Sequence, residues 1–312
     1  MVRSPAHFSQ LIKTKASELG FSACGISAAK MLGEDSDRLR EWLSSGYHGT
    51  MAYMANHFEK RVNPAELAEG SKSVVSVLLN YYTDTKQVDN EAPVISKYAL
   101  GKDYHHVVKE RLFKLLSYIQ SDLAPCEGRA FTDSAPLLEK SLAREAGLGW
   151  VGKNTLLIHP KMGSFLFIGE LVLDLELAFD EPFGNDLCGS CSRCMDSCPT
   201  GAIIAPSLLD ANKCISYLTI ETKDEIPEQL AVGLSNRLIG CDICQEVCPW
   251  NSRSEQHEVQ EFLPKQELLE MTAADWRILD KPSYKRLFKG SAVERAGFDH
   301  MKRTMEYLSG SK

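Results

Sequence analysis

Over the first twenty residues, MVRSPAHFSQLIKTKASELG, Phe8, Leu11, Ile12 and Leu19 fall on one side of a helical wheel. The chain therefore opens as an amphipathic helix. Two apolar runs follow, "FSACGIS" (21–27) and "SVVSVLLNYY" (73–82), each bounded by polar or glycine residues as buried strands are. Between them, 34–45 and 64–70 read as helical, with Pro64 suited to a first turn. From Tyr104 to about Ala124, the spacing of Val107, Val108, Leu112, Leu115, Leu116 and Ile119 predicts a longer helix. "GRAFTDSAP" (128–136) reads as a strand running into a loop, and "PLLEKSLAREAG" (136–147) as a helix stopped by Gly147. Thr155–Ile158 and Phe165–Leu175 are β-rich runs joined across Pro160 and Gly163, which predicts an antiparallel hairpin. Residues 260–312 read as mostly helical. Mixed helices with such a hairpin point to an α+β sheet domain rather than a doubly wound one.

That order of elements decides the meaning of "GLGWVGKNT" (147–155), which matches both G-x-G-x-x-G and most of a phosphate-cradling loop. Either nucleotide motif must follow a strand and open a helix, because phosphate sits at a helix N-terminus. Here a helix precedes the glycines and a strand follows. Asn154 also stands where a magnesium-binding hydroxyl belongs. The match is rejected as a nucleotide site.

Composition adds a class and an address. The 44% hydrophobic and 25% charged fractions are those of an ordinary soluble protein. Neither a membrane-length apolar run nor a secretory core is visible, so a cytoplasmic location is expected. The net charge of −7 argues against nonspecific attachment to nucleic acid. It is unevenly spread: 281–312 holds eight Lys/Arg and three Asp/Glu, a local +5, leaving −12 for the rest.

The ten cysteines change the picture most. Cys24 and Cys126 stand apart and read as ordinary buried thiols. The other eight lie between Cys188 and Cys248, a clustering that favours metal binding over disulfides. Cys188-x-x-Cys191-x-x-Cys194-x-x-x-Cys198-Pro199 is the bacterial pattern for [4Fe–4S] clusters, in which the fourth cysteine serves the other cluster. Cys241-x-x-Cys244-x-x-x-Cys248-Pro249, with Cys214 upstream, repeats it. Crossover then assigns Cys188, Cys191, Cys194 and Cys248 to one cluster, and Cys198, Cys214, Cys241 and Cys244 to the other. Zinc also favours C-x-x-C pairs, but does not require this doubled arrangement. The clusters would feed the sheet domain single electrons from a ferredoxin- or flavodoxin-type carrier.

With these motifs in place, the chain resembles the epoxyqueuosine reductases. The resemblance rests on "LNYY" (79–82), "KYALGKDYHHVVKERL" (97–112), "TDSAPLLEKSLAREAGLGWVGKNTLLIHPKMGSFLFIGEL" (132–171), "CISYLTIE" (214–221) and "CPWN" (248–251), together with the cysteine runs. It implies a cobalamin-binding, nitroreductase-like sheet domain (1–180), similar in fold to that of reductive dehalogenases. A ferredoxin-like domain with two [4Fe–4S] clusters (181–255) and a short, basic helical segment (256–312) would follow. The implied reaction is the two-electron reduction of epoxyqueuosine at the tRNA wobble position, with loss of water, by a monomer. A reductive dehalogenase sharing this architecture, or a plain electron-transfer protein with no corrinoid, are the alternatives.

The resemblance points to Asp133 as general acid, with a pKa raised by an apolar corrin face. His57, Tyr98, Asp133, Lys153, Asn154 and Ser164 are the corresponding candidate corrin contacts. Tyr104 and His106 are candidates to touch substrate, and Lys285, Arg286, Lys289, Lys302 and Arg303 to touch tRNA phosphates. "DYHHVV" (103–108) narrowly misses the Asp-x-His-x-x-Gly corrinoid signature and reads instead as a helix start capped by Asp103. Trp150 reads as a core residue.

Overall fold

The computed structural model describes residues 4–310. Lys312, the last cation of the basic segment, lies outside the described residues. Helix α1 (Pro5–Glu18) begins as proline and a capping serine dictate, the Ser4 hydroxyl accepting the His7 N–H at 3.3 Å. Then come β1 (Ala23–Ala28), α2 (Gly33–Ser44), the short α3 (Phe58–Val62) and β2 (Ser73–Asn80). The run 64–70 contributes only one 3₁₀ turn, Pro64–Glu66. Strand β3 (Val94–Ile95) and helix α4 (Tyr104–Tyr118) follow, and α4 ends in a π-helical turn, Ile119–Leu123. Beyond it lie β4 (Gly128–Phe131), α5 (Glu139–Glu145), β5 (Trp150–Val151), β6 (Leu157–Ile158) and β7 (Leu166–Leu173).

Four strands form the central sheet in the order β1-β2-β7-β4, every pair antiparallel. Strand β2 is buried on both faces, which explains its unbroken apolar run. Val75, Val77 and Leu79 pack with Ile12, Ala16, Val108 and Leu112 of α1 and α4. The intervening Val74 and Leu78 meet α5 on the opposite face. The period of two thus sorts one strand between two helical layers. Gly169 of β7 lets α4 settle closely, because a Cβ there would lie 2.8 Å from Val108 Cγ1.

The expected hairpin between 155–158 and 165–175 is not formed. Leu157–Ile158 pairs instead with Trp150–Val151, and 166–173 joins the main sheet. The chain between them keeps only a His159–Gly163 bridge. Gly147, at φ +75°, ends α5 as expected, and the chain then turns directly into β5.

The second half is threaded through the first. Strand β3 pairs in parallel with Arg237–Ile239, beyond most of the cysteines. Ala92, Ile95, Ala99 and Leu100 share a core with Trp276, Phe288 and Met301 of the C-terminal helices. Those helices are short: Gln266–Glu270, Ala273–Arg277, Lys281–Phe288, Val293–Ala296 and Phe298–Leu308. Among the described residues no helix is long and apolar enough to cross a membrane.

Candidate active site and cluster cavities

The start of α4 and the end of β4 converge at one edge of the sheet. Asp103 caps α4, its Oδ1 accepting the His105 N–H at 3.0 Å and meeting His105 Nδ1 at 2.7 Å. The other face of the imidazole is turned to Asp133, with Nε2 3.4 Å from Asp133 Oδ2. Tyr104 also donates its hydroxyl to Asp133 Oδ2. The Tyr104 ring is fixed between two neighbours, stacked on Phe167 of β7 at 4.2 Å and on His105 at 4.1 Å. Asp133 itself sits at φ +54°, a left-handed conformation unusual for a side-chain-bearing residue. Its N–H donates to Glu139 Oε1 at 2.6 Å, which anchors that strained backbone to the first turn of α5.

These contacts overturn the expected protonation of Asp133. Burial pulls its pKa upward, but hydrogen bonds from His105 and Tyr104, with the charges of His105 and Arg295, hold it below the usual carboxylate range. Burial would by itself lower His105; its hydrogen bonds to Asp103 and Asp133, and their charges, carry it up to about 9. Glu139 is pushed up to about 8, chiefly by burial and then by the charge of Asp133. At neutral pH the protons therefore rest on His105 and Glu139 rather than on Asp133.

The thiols divide between two cavities. Cys188, Cys191, Cys194 and Cys248 line one, and Cys198, Cys214, Cys241 and Cys244 line the other. Among the described residues, no three His, Cys, Asp or Glu close to the distances a single metal ion needs. The outlying Cys24 and Cys126 are raised to about 12 and about 11 by burial, as inert thiols are.

Other candidates have varied settings. Tyr98 lines the second cavity, and its ring meets that of Tyr104 edge-on at 6.2 Å, which connects the cavity to Asp133. Asn154 lines both cavities. Its Nδ2 and the Ser96 Oγ, also on the second cavity, are buried polar atoms without a hydrogen-bond partner. A group bearing amide side chains would satisfy both, which is the chemistry a corrin rim offers. Lys153 faces elsewhere: its Nζ donates to the Gly189 and Cys191 carbonyls at 2.6 and 3.0 Å, in the loop of the first quartet. Ser164 is committed to packing. It is buried, its N–H donates to Asn251 Oδ1 at 2.6 Å, and its hydroxyl accepts from Asn251 and Gln245. His57 is exposed at a left-handed turn before α3.

In the basic segment, Lys285, Lys289 and Lys302 are exposed. Arg286 forms a two-pronged pair with Glu267, both contacts at 2.6 Å. Arg303 directs its terminal guanidinium nitrogens inward, onto the Leu218, Thr222 and Asp224 carbonyls, rather than out to solvent. His106 is exposed, and it is its neighbour His105 that reaches Asp133. Sequence reasoning passed over His105 and Glu139. The only signal was the Asp103–His105 spacing of a capped helix, and none marked Glu139.

Comparison with known proteins agrees with this geometry. Residues 187–251 match the 4Fe-4S double cluster binding domain, and residues 61–134 match the family described as Epoxyqueuosine reductase QueG, DUF1730. The epoxyqueuosine reductase of Leadbetterella byssophila is 52% identical over 301 residues, covering 96% of this chain and 98% of the relative. A crystal structure of epoxyqueuosine reductase with an epoxyqueuosine-modified tRNA-Tyr stem loop superposes with a TM-score of 0.86 at 29% identity. It covers 96% of this chain and 79% of that one. A catabolic reductive dehalogenase, at 16% identity and a TM-score of 0.52, covers 84% of this chain and 34% of that one, a likeness of fold alone. Identity of this order over 96% of the chain, the double-cluster segment and the shared fold agree: this chain is an oxidoreductase of the epoxyqueuosine reductase family.

Proposed function

We propose that the chain reduces epoxyqueuosine in a tRNA anticodon to queuosine, using a cobalamin held between the sheet (1–180) and the cluster segment (181–255). The overall change consumes two electrons and two protons, as the epoxide C–O bonds break, a C=C bond forms and the oxygen leaves as water. Cobalamin, when bound, supplies reducing equivalents at a metal that tolerates low coordination. The chain's own residues supply the protons and the position.

One observation carries the reading: Asp133 is held by Tyr104 and His105 beside the cavity of the second quartet, with Tyr98 linking the two. His105, which burial would lower but hydrogen bonds to Asp103 and Asp133 raise to about 9, keeps a proton at neutral pH beside the Asp133 carboxylate. Asp133 Oδ2, which faces His105 Nε2 and accepts from the Tyr104 hydroxyl, passes protons drawn from His105 and solvent to the departing oxygen, while Glu139, accepting the Asp133 backbone N–H, fixes its position. Tyr98, Asn154 and Ser96 are the residues proposed to face the corrin. The thiol quartets are proposed to hold the two clusters, charged by a ferredoxin- or flavodoxin-type donor. Lys285, Lys289 and Lys302 are proposed to meet tRNA phosphates, with the modified base splayed out of the loop. The protein is proposed to act as a cytoplasmic monomer.

The test is anaerobic loading with cobalamin, followed by mass spectrometry of nucleosides from an epoxyqueuosine-containing stem loop. Bound cobalamin and conversion to queuosine are expected. Failure to take up cobalamin would favour a plain electron-transfer protein. Debromination of a bromophenol with no epoxide reduction would favour the dehalogenase reading.

A further inference from the structure

Trp150 and Lys153, from the stretch that imitates a nucleotide loop, both turn toward the first thiol quartet. Trp150 is 2% exposed, and its indole N–H points at Cys188 Sγ at 3.4 Å. A buried indole N–H needs a partner, and here the partner is the sulfur of a cluster ligand. The ring has little freedom to turn away, stacked on Phe183 at 5.6 Å and edge-on to Trp250 at 4.9 Å. Trp250 lies two residues past Cys248 of the same quartet. From the other side, Lys153 places its ammonium on the Gly189 and Cys191 carbonyls and lines the same cavity. Backbone N–H groups reach sulfur in the second quartet too, as Ala202 does to Cys198 at 3.3 Å. The indole donor and the ammonium are directed at the first.

We propose that Trp150 and Lys153 are positioning residues that raise the reduction potential of the cluster bound by Cys188, Cys191, Cys194 and Cys248, making it the first to accept an electron. Reduction of [4Fe–4S]²⁺ to [4Fe–4S]⁺ adds one electron, taken from the external donor, and its charge spreads onto the sulfurs. A hydrogen-bond donor on Cys188 and a nearby cation stabilise that reduced form more than the oxidised one, so the potential rises. A tightly packed tryptophan and a lysine bound to carbonyls would thereby do more than close the fold. They would order the two clusters, with the first receiving charge and the second, in the cavity that Tyr98 borders, delivering it.

The inference rests on the two-cluster reading, and the experiment separates the two. Anaerobically reconstituted protein is poised across a range of potentials and followed by EPR, with the wave lost in Cys194→Ala marking the first cluster. In Trp150→Phe that wave shifts to more negative potential while the other stays in place; Lys153→Met shifts the same wave in the same direction. Immobility of the wave in both variants, or equal movement of both waves, overturns the proposal. Should Trp150→Phe fail to retain iron, Lys153→Met decides alone. Wild-type protein with iron for fewer than two clusters would instead overturn the reading on which the inference stands.

Discussion

The cluster segment and the Asp133 site are assembled from the chain in opposite ways. All eight cluster thiols come from one stretch, Cys188 to Cys248, whose two motifs already imply the exchange of Cys198 and Cys248 between the cavities. The Asp133 site draws Tyr104 and His105 from α4, Asp133 from the loop after β4, and Glu139 from α5. Those elements meet only because α4 and α5 cover opposite faces of one sheet. A local motif tolerates ignorance of the fold, whereas a site built across layers does not.

Removing single thiols breaks the comparison most severely. Cys198→Ala is expected to eliminate the second cluster and spare the first, although Cys198 belongs to the first run in sequence. Turnover is lost, and iron analysis with EPR should show half the clusters remaining. Loss of the first cluster alone would mean that each run serves its own cluster, and the crossover would be wrong.

The next largest effect falls on the dispersed site. Asp133→Asn should keep iron and cobalamin but lower turnover by about 10²- to 10⁴-fold, the usual worth of a positioned proton-transfer group. A near-normal rate would remove Asp133 from the reaction.

His105→Gln should cost less, roughly ten- to a hundredfold, as expected for one charge-assisted hydrogen bond of about 1.5–3 kcal/mol. Its sharper signature is in pH. Because the imidazole rises from 6.5 to about 9 on folding, its contribution to stability is complete below pH 6.5 and is lost as pH climbs through about 9. Thermal unfolding of the wild type should therefore weaken across that window, and turnover should fall with it. The glutamine variant should show neither change. An unchanged alkaline limb in the variant would assign the titration to another group.

Legibility follows the same division. β2 was readable because a doubly buried strand is a continuous apolar run, and α4 because one face recurs at helical spacing. The hairpin was misassigned since β6 is too short to reveal its partner; Trp150–Val151, not 166–173, lies beside it. Asp133 was identified through family resemblance, yet its protonation was inverted. The sequence places no cation beside it, and only folding brings His105 within 3.4 Å. Ser164 and Arg303 were assigned to ligands because polar residues in loops and basic segments resemble contacts. Hydrogen bonds to Asn251 and to the carbonyls of residues 218–224 had already claimed them. The capping Asp103 was readable from local context, whereas Cys24 and Cys126 are half-buried rather than buried.

The pairing of Val94–Ile95 with Arg237–Ile239 has a temporal meaning as well. A ribosome produces the sheet strands β1 to β7 well before residue 237 emerges. Until then Ser96 and Tyr98, which border the second cavity, have no strand beside them to fix their place. The Asp103 N–H likewise waits for the Gly290 carbonyl, 2.8 Å away in the finished fold. The second cavity and the start of α4 are consequently among the last parts of the molecule to be completed during synthesis. A cofactor taken up in that cavity would find Ser96 and Tyr98 in place only after residues 237–239 have paired with Val94–Ile95.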